Sequence, residues 1–127
     1  GAYSISLYQS NSPSVRSQYM PADFDVFALV TTEGFFLVPT SILQQRGVVG
    51  NVDMPTGSMT FYPPSAMPIQ KAAKEAQCWQ QKFFFNFATL LPKTSEHHRL
   101  IALIERCRLE RDARKHEGGS CADSNRD

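Results

Sequence analysis

The stretch QYMPADFDVFALVTTEGFFLVPTSIL, Gln18 to Leu43, decides the fold class. It holds two apolar runs, FDVFALVTT and FFLVP, on either side of Glu33-Gly34. Both runs are rich in β-branched and aromatic residues and are about a strand long. The connection is too short for a crossover helix, so the two strands pair as an antiparallel hairpin. The first run is apolar on both faces and reads as a central strand. Pro39 lacks an amide donor and ends the second. Thr40 or Ser41 then caps a short helix, SILQQR, that stops at Gly47.

Upstream, YSISLY alternates strictly: Tyr3, Ile5 and Leu7 face one way, Ser4 and Ser6 the other. That is a strand with one wet face. The polar loop QSNSPSVRSQ follows it. Downstream, residues 47–68 hold four of the eight prolines and three glycines, a long loop around one short strand, SMTFY. From Ile69 the period changes. Ile69, Ala72, Ala73, Ala76, Trp79 and Phe83 recur at helical spacing, and the reading carries this helix on through KFFFNFATLL to Pro92. Thr94 or Ser95 caps a second helix striped by Leu100, Leu103, Ile104 and Cys107. The expectation is one α+β domain over residues 1–116. A small, mostly antiparallel sheet (1–62) precedes a C-terminal helical hairpin (69–116), and residues 117–127 form a disordered tail.

A length of 127 residues suits one domain, and nine Phe, four Tyr and one Trp supply a core. No apolar run approaches the ~20 residues of a membrane helix, so no membrane partner is expected. Three cysteines without a CxxC pair fit free thiols in a reducing cytoplasm. Gly1-Ala2 without an initiator Met reads as the scar of a cleaved tag, with residues expected upstream. Residues 1–67 carry two basic and four acidic groups, and residues 68–127 carry eleven and eight, so the net +1 charge hides a C-terminal basic excess.

The run ISLYQSNSPSVRSQYMPADFDVFALVTTEGFFLVP is similar to the C-terminal half of group I intron-associated PD-(D/E)xK endonucleases. There a Tyr precedes a D-x-D entrance to a DVFAVY-like strand, and the next strand ends in Y-x-V-P. Tyr19, Asp23, Asp25, Phe27, Ala28, Phe36, Val38 and Pro39 occupy the matching positions. The resemblance covers residues 3–45 and implies a restriction-endonuclease-like fragment. It makes Tyr19, Asp23, Asp25 and Pro39 a structural strand entrance, with Asp23 capping a turn after Met20-Pro21 and Asp25 bonding nearby backbone. The metal-binding acids and the lysine of that family belong upstream of Tyr3, and the first lysine here is Lys71, on a helix. The resemblance therefore implies no catalytic residues, metal or cofactor for this chain.

Other chemistry is weaker. A metal on Asp23 and Asp25 needs a third ligand, such as Glu33 across the hairpin. Zinc on His97, His98, Cys78 and Cys107 needs several elements to converge. Cys78 with His98 as nucleophile and base lacks an orienting acid, and Cys78 beside Trp79 reads as a core thiol. No Walker A, G-x-G-x-x-G, G-x-S-x-G or HExxH motif occurs, so no nucleotide is expected. Arg99, Arg106, Arg108, Arg111, Arg114 and Lys115 are the candidate DNA phosphate contacts, although Glu105, Glu110 and Asp112 stand among them. FFFNF cannot turn every Phe to one side of a helix, so Trp79, Phe83, Phe84 and Phe87 are the candidate oligomer or partner surface. The leading expectation is a non-catalytic DNA-associated module, dimeric or missing an upstream domain. The alternatives are a protein-interaction module without a DNA role, and part of an active nuclease completed upstream or by a partner chain.

Overall fold

The computed structural model of the chain describes residues 1–12, 15–51, 53 and 57–126, with side chains left aside for 9–12, 15–16 and 116–126. Strands β1 (Tyr3–Leu7), β2 (Gln9–Ser12) and β3 (Val15–Ser17) lead to a 3-10 turn at Pro21–Asp23. Then come β4 (Val26–Val30), β5 (Gly34–Pro39) and helix α1 (Thr40–Gln45). Strand β6 (Gly57–Phe61) and helix α2 (Lys71–Gln80) follow. A second 3-10 turn, Gln81–Phe83, feeds β7 (Phe84–Asn86), and helix α3 runs Ser95–Arg126. The class is α+β, with small antiparallel sheets and helices.

Three sheets form, in the orders β1-β6, β2-β3 and β4-β5-β7. The β4-β5 hairpin is antiparallel with Val26 opposite Pro39 and Val30 opposite Phe35. Thr31 closes its turn: the hydroxyl donates to the Gly34 carbonyl at 3.0 Å and accepts from the Gly34 amide at 3.2 Å. Strand β1 has the expected wet face, with Ser4 and Ser6 exposed and Ile5 and Leu7 half-buried.

Two expectations are corrected. The central strand is β5, buried at Phe36 and Val38, whereas β4 lies at an edge with Val30 69% exposed. The helix expected to run through KFFFNFATLL ends at Gln80, so a strand separates α2 from α3. β7 pairs antiparallel with β5, placing Phe85 opposite Phe35 and Phe84 opposite Phe36. The reason is geometric. Successive strand residues point to opposite faces, so Phe84 and Phe85 each reach an apolar layer, which a helix there could not offer both. Gly34 makes room, since a Cβ at that position would strike the Phe85 carbonyl and the Phe84 ring.

These two faces organise the core. On one face Phe27 and Phe36 meet Phe61 of β6, Phe84 packs edge-on to Phe36, and Phe61 in turn meets Trp79 of α2. On the other face Phe35 stacks on Phe85, and the Arg99 guanidinium of α3 lies 4.1 Å over the Phe85 ring. Leu103 and Cys107 carry the buried stripe of α3, Leu100 is half-buried, and Ile104 is turned out at 52% exposure. The α3 backbone continues to Arg126, through most of the stretch 117–127 expected as a disordered tail. Gly118 and Gly119 each weaken that extension by about 1 kcal/mol relative to Ala.

Candidate functional site

Helix α1 starts at Pro39, whose φ of −60° suits an N-cap, and not on a side-chain cap from Thr40 or Ser41. The Thr40 hydroxyl instead donates to the Phe24 carbonyl at 2.9 Å, tying the helix to the strand entrance. The helix ends in a Schellman turn. Gly47 takes φ +79°, its amide donates to the Gln44 carbonyl, and the Val48 amide donates to the Leu43 carbonyl. Gln18, 3% exposed, holds the turn from outside: its amide donates to the Gly47 carbonyl at 2.9 Å and its oxygen accepts from the Asn51 amide at 2.9 Å. This places Arg46, the last residue before the turn, beside α2.

Helix α2 is fixed by two glutamines one turn apart. Fully buried Gln80 donates to the Thr60 carbonyl and accepts from the Tyr62 amide, both at 2.8 Å. Those groups flank Phe61, so the side-chain amide stands where a parallel neighbour's peptide would stand. Gln77 donates to the Pro63 and Ala66 carbonyls at 2.9 and 2.8 Å. Trp79 is then wedged edge-on against Phe61 and Phe83. The Arg46 guanidinium rests 4.4 Å over the indole.

Grooves open on both sides of this pair. One, about 420 Å³, is lined by Arg46, Glu75, Cys78, Trp79 and Lys82. The other, about 320 Å³, is lined by Arg46, Ser58, Met59, Tyr62, Gln70 and Trp79. Ala72 and Ala76 line both, so their small side chains leave the trough open along α2. Cys78 is exposed here and not in the core.

The basic helix behaves differently. Arg106 pairs with Glu110 at 2.9 Å, and Arg108 is held between Glu105 and Asp112. The hydrogen bond from Arg108 holds the Glu105 carboxyl below its usual value and raises the guanidinium. Arg111 pairs with Asp112 at 3.3 Å, and Arg111 and Arg114 lie 3.9 and 3.7 Å from Asp25. Arg99 donates to the Lys82 and Phe84 carbonyls and sits 3.6 Å from Glu96. Each of these five candidate phosphate contacts thus has a carboxylate partner, and Lys115 lines a small hollow with Ala22, Asp25, Arg111 and Arg114. Among the described residues neither Arg46 nor Lys82 forms an ion pair.

The remaining candidates fall as follows. The Asp23 carboxylate accepts from the Met20 amide at 2.7 Å, closing the turn after Met20. Asp25 reaches the α3 arginines instead of nearby backbone. Tyr19 packs edge-on to Phe24, and its carbonyl accepts from Gly50. Pro39 is buried where β5 meets α1. Of the aromatic surface, Phe83 and Phe84 are buried and Trp79 half-buried, because FFFNF leaves the helix; Phe87 stays 51% exposed. His97 Nδ1 accepts from the Lys93 amide at 3.0 Å. Burial raises the Cys107 thiol pKa, keeping it protonated. No group of three His, Cys, Asp or Glu converges on a metal position among the described residues.

No family model and no curated protein matches the chain. Among solved structures it is similar to MepB, seen by crystallography, at 22% identity and a TM-score of 0.57. The match covers 68% of this chain and 62% of MepB, so the chain spans less than two thirds of that protein. At this identity the likeness is one of fold.

Proposed function

We propose that the chain is a non-catalytic DNA-associated module whose phosphate contacts come from Arg46 and Lys82. The observation that supports it is the pairing pattern. Arg99, Arg106, Arg108, Arg111 and Arg114 of α3 are each matched by a carboxylate, whereas Arg46 and Lys82 flank one groove without forming an ion pair among the described residues. A planar guanidinium with a free edge is suited to bidentate phosphate contact, and affinity built this way falls as salt rises. The test is fluorescence anisotropy of a labelled duplex at low and physiological salt, with and without magnesium. Arg46→Glu with Lys82→Glu is expected to weaken binding about tenfold or more. Arg108→Glu is expected to change it less. Cutting in magnesium supports the nuclease alternative instead.

A second reading is favoured by a different observation. Phe87, Leu91, Ile101 and Ile104 are all more than half exposed, a set of apolar side chains carried by α3 and the segment before it. In a protein-interaction module these, and not the buried Phe83 and Phe84, face the partner or a second copy. Light scattering checks it: a dimer that becomes monomeric in Ile101→Asp with Ile104→Asp supports this reading.

A further inference from the structure

The two grooves share a wall, and the wall is Arg46 on Trp79. Neither groove is generic in composition. Arg46 and Trp79 line both; Lys82 belongs to one groove, and Tyr62 with Gln70 and Ser58 to the other. Each groove has aromatic surface, and the cation common to both lies between them. Ala72 and Ala76 keep the passage past Arg46 free of bulk.

We infer that this trough takes unpaired single-stranded nucleic acid, with one nucleotide on either side of Arg46 and the phosphate that links them on its guanidinium. The inference deepens the DNA-associated reading and rests on it. A duplex offers its backbone but keeps its base faces stacked inside, so Trp79 and Tyr62 would meet only sugar and phosphate. An unpaired strand offers both: bases for the aromatic surfaces and a phosphate at each step for the cation. Arg46 already lies against the indole, so its cation stands at the aromatic surface an incoming base would meet. Glu75, on the rim of the larger groove, disfavours a second phosphate at that point and leaves Lys82 as the outer cation.

The chain carries one tryptophan, and it lies in this trough. Its emission therefore reports occupancy without a label. The experiment titrates the whole chain with a short oligodeoxythymidine and, separately, with a hairpin duplex, following Trp79 emission and anisotropy together at low salt. The expected result is quenching by the single strand and affinity about tenfold above that for the duplex. Ala72→Glu, at an exposed helix position, places bulk and negative charge in the trough without touching the core. It is expected to abolish quenching and the single-strand preference. Arg46→Ala is expected to weaken single-strand binding several-fold. Equal binding of both nucleic acids with unchanged Trp79 emission overturns the inference and leaves DNA association standing through another surface. Single-strand binding that survives Ala72→Glu with its preference intact also overturns it. Binding of neither at low salt overturns both the inference and the DNA reading.

Discussion

Helices α2 and α3 are fastened to the sheets by different chemistry. α2 is held by neutral amides: Gln80 seals the outer edge of β6, and Gln77 holds the loop beyond it. α3 is held by charge. Glu96 accepts from the Asn86 amide at 3.0 Å and from the Thr89 hydroxyl at 2.5 Å. Arg99 grips the Lys82 and Phe84 carbonyls, and Asp25 faces Arg111 and Arg114. The neutral attachment is indifferent to pH and salt, while the charged one responds to both. Most of the groove lining stands on α2, the neutral side, while Lys82 at its outer end is also held through its carbonyl by Arg99.

The comparison can be broken most severely at Gln80. Gln80→Leu fills the same space but leaves the Tyr62 amide and the Thr60 carbonyl without their partner. A loss of about 3 kcal/mol in urea unfolding is expected, the same at low and high salt. Arg99→Ala removes two charge-assisted hydrogen bonds and the cation over Phe85. About 2 kcal/mol is expected from the same measurement. Acid sharpens the contrast further. The Thr89 hydroxyl draws the Glu96 pKa below its usual value; burial opposes it, second in size, and the Asn86 amide and Arg99 add smaller pulls downward. A depressed folded pKa gives stability that is present above the unfolded value and lost as pH falls through the folded one. Lowering the pH from neutral to below that value should therefore destabilise the native chain more than Glu96→Gln. A parallel loss in both proteins would count against the charged attachment. Asp25→Asn should cost about 0.5 kcal/mol, since its pairs are long and half-exposed, and added salt should erase the difference.

Much of the first half of the chain is legible without a structure. The β4-β5 hairpin follows from two apolar runs across a two-residue Glu-Gly signal, and the end of α1 follows from Gly47. The ranks of those strands do not follow. FDVFALVTT looks buried on both faces, but whether a strand is central depends on a later partner, and β7 chose β5. KFFFNFATLL misleads for a related reason. A continuous apolar run has neither a period of two nor one of 3.6, so it cannot separate strand from helix. The deciding residue is Gly34, some fifty positions earlier, whose missing side chain admits the third strand. The groove is hidden in the same way. Arg46 reads as the tail of a short helix and Trp79 as part of a partner surface on another; only the Schellman turn and the two glutamines bring them together. The α3 arginines were visible, and so were the acids between them. What the spacing does not tell is that Asp25, from the opposite end of the chain, takes two more.

Strand β7 is three residues long, yet Phe84 enters the layer with Phe36 and Phe61 while Phe85 enters the layer under α3. Neither layer can come apart without disturbing the other, because adjacent residues of one backbone are committed to both. The consequence concerns cooperativity. Heat or denaturant should melt the two layers in a single transition, and Trp79 emission and helical circular dichroism should trace the same curve. The pairing of β7 with β5 also joins residues about fifty positions apart, so its loop-closure entropy must be met before either layer is complete. Folding of this protein should then be limited by the arrival of a very short strand, not by the formation of its longest helix.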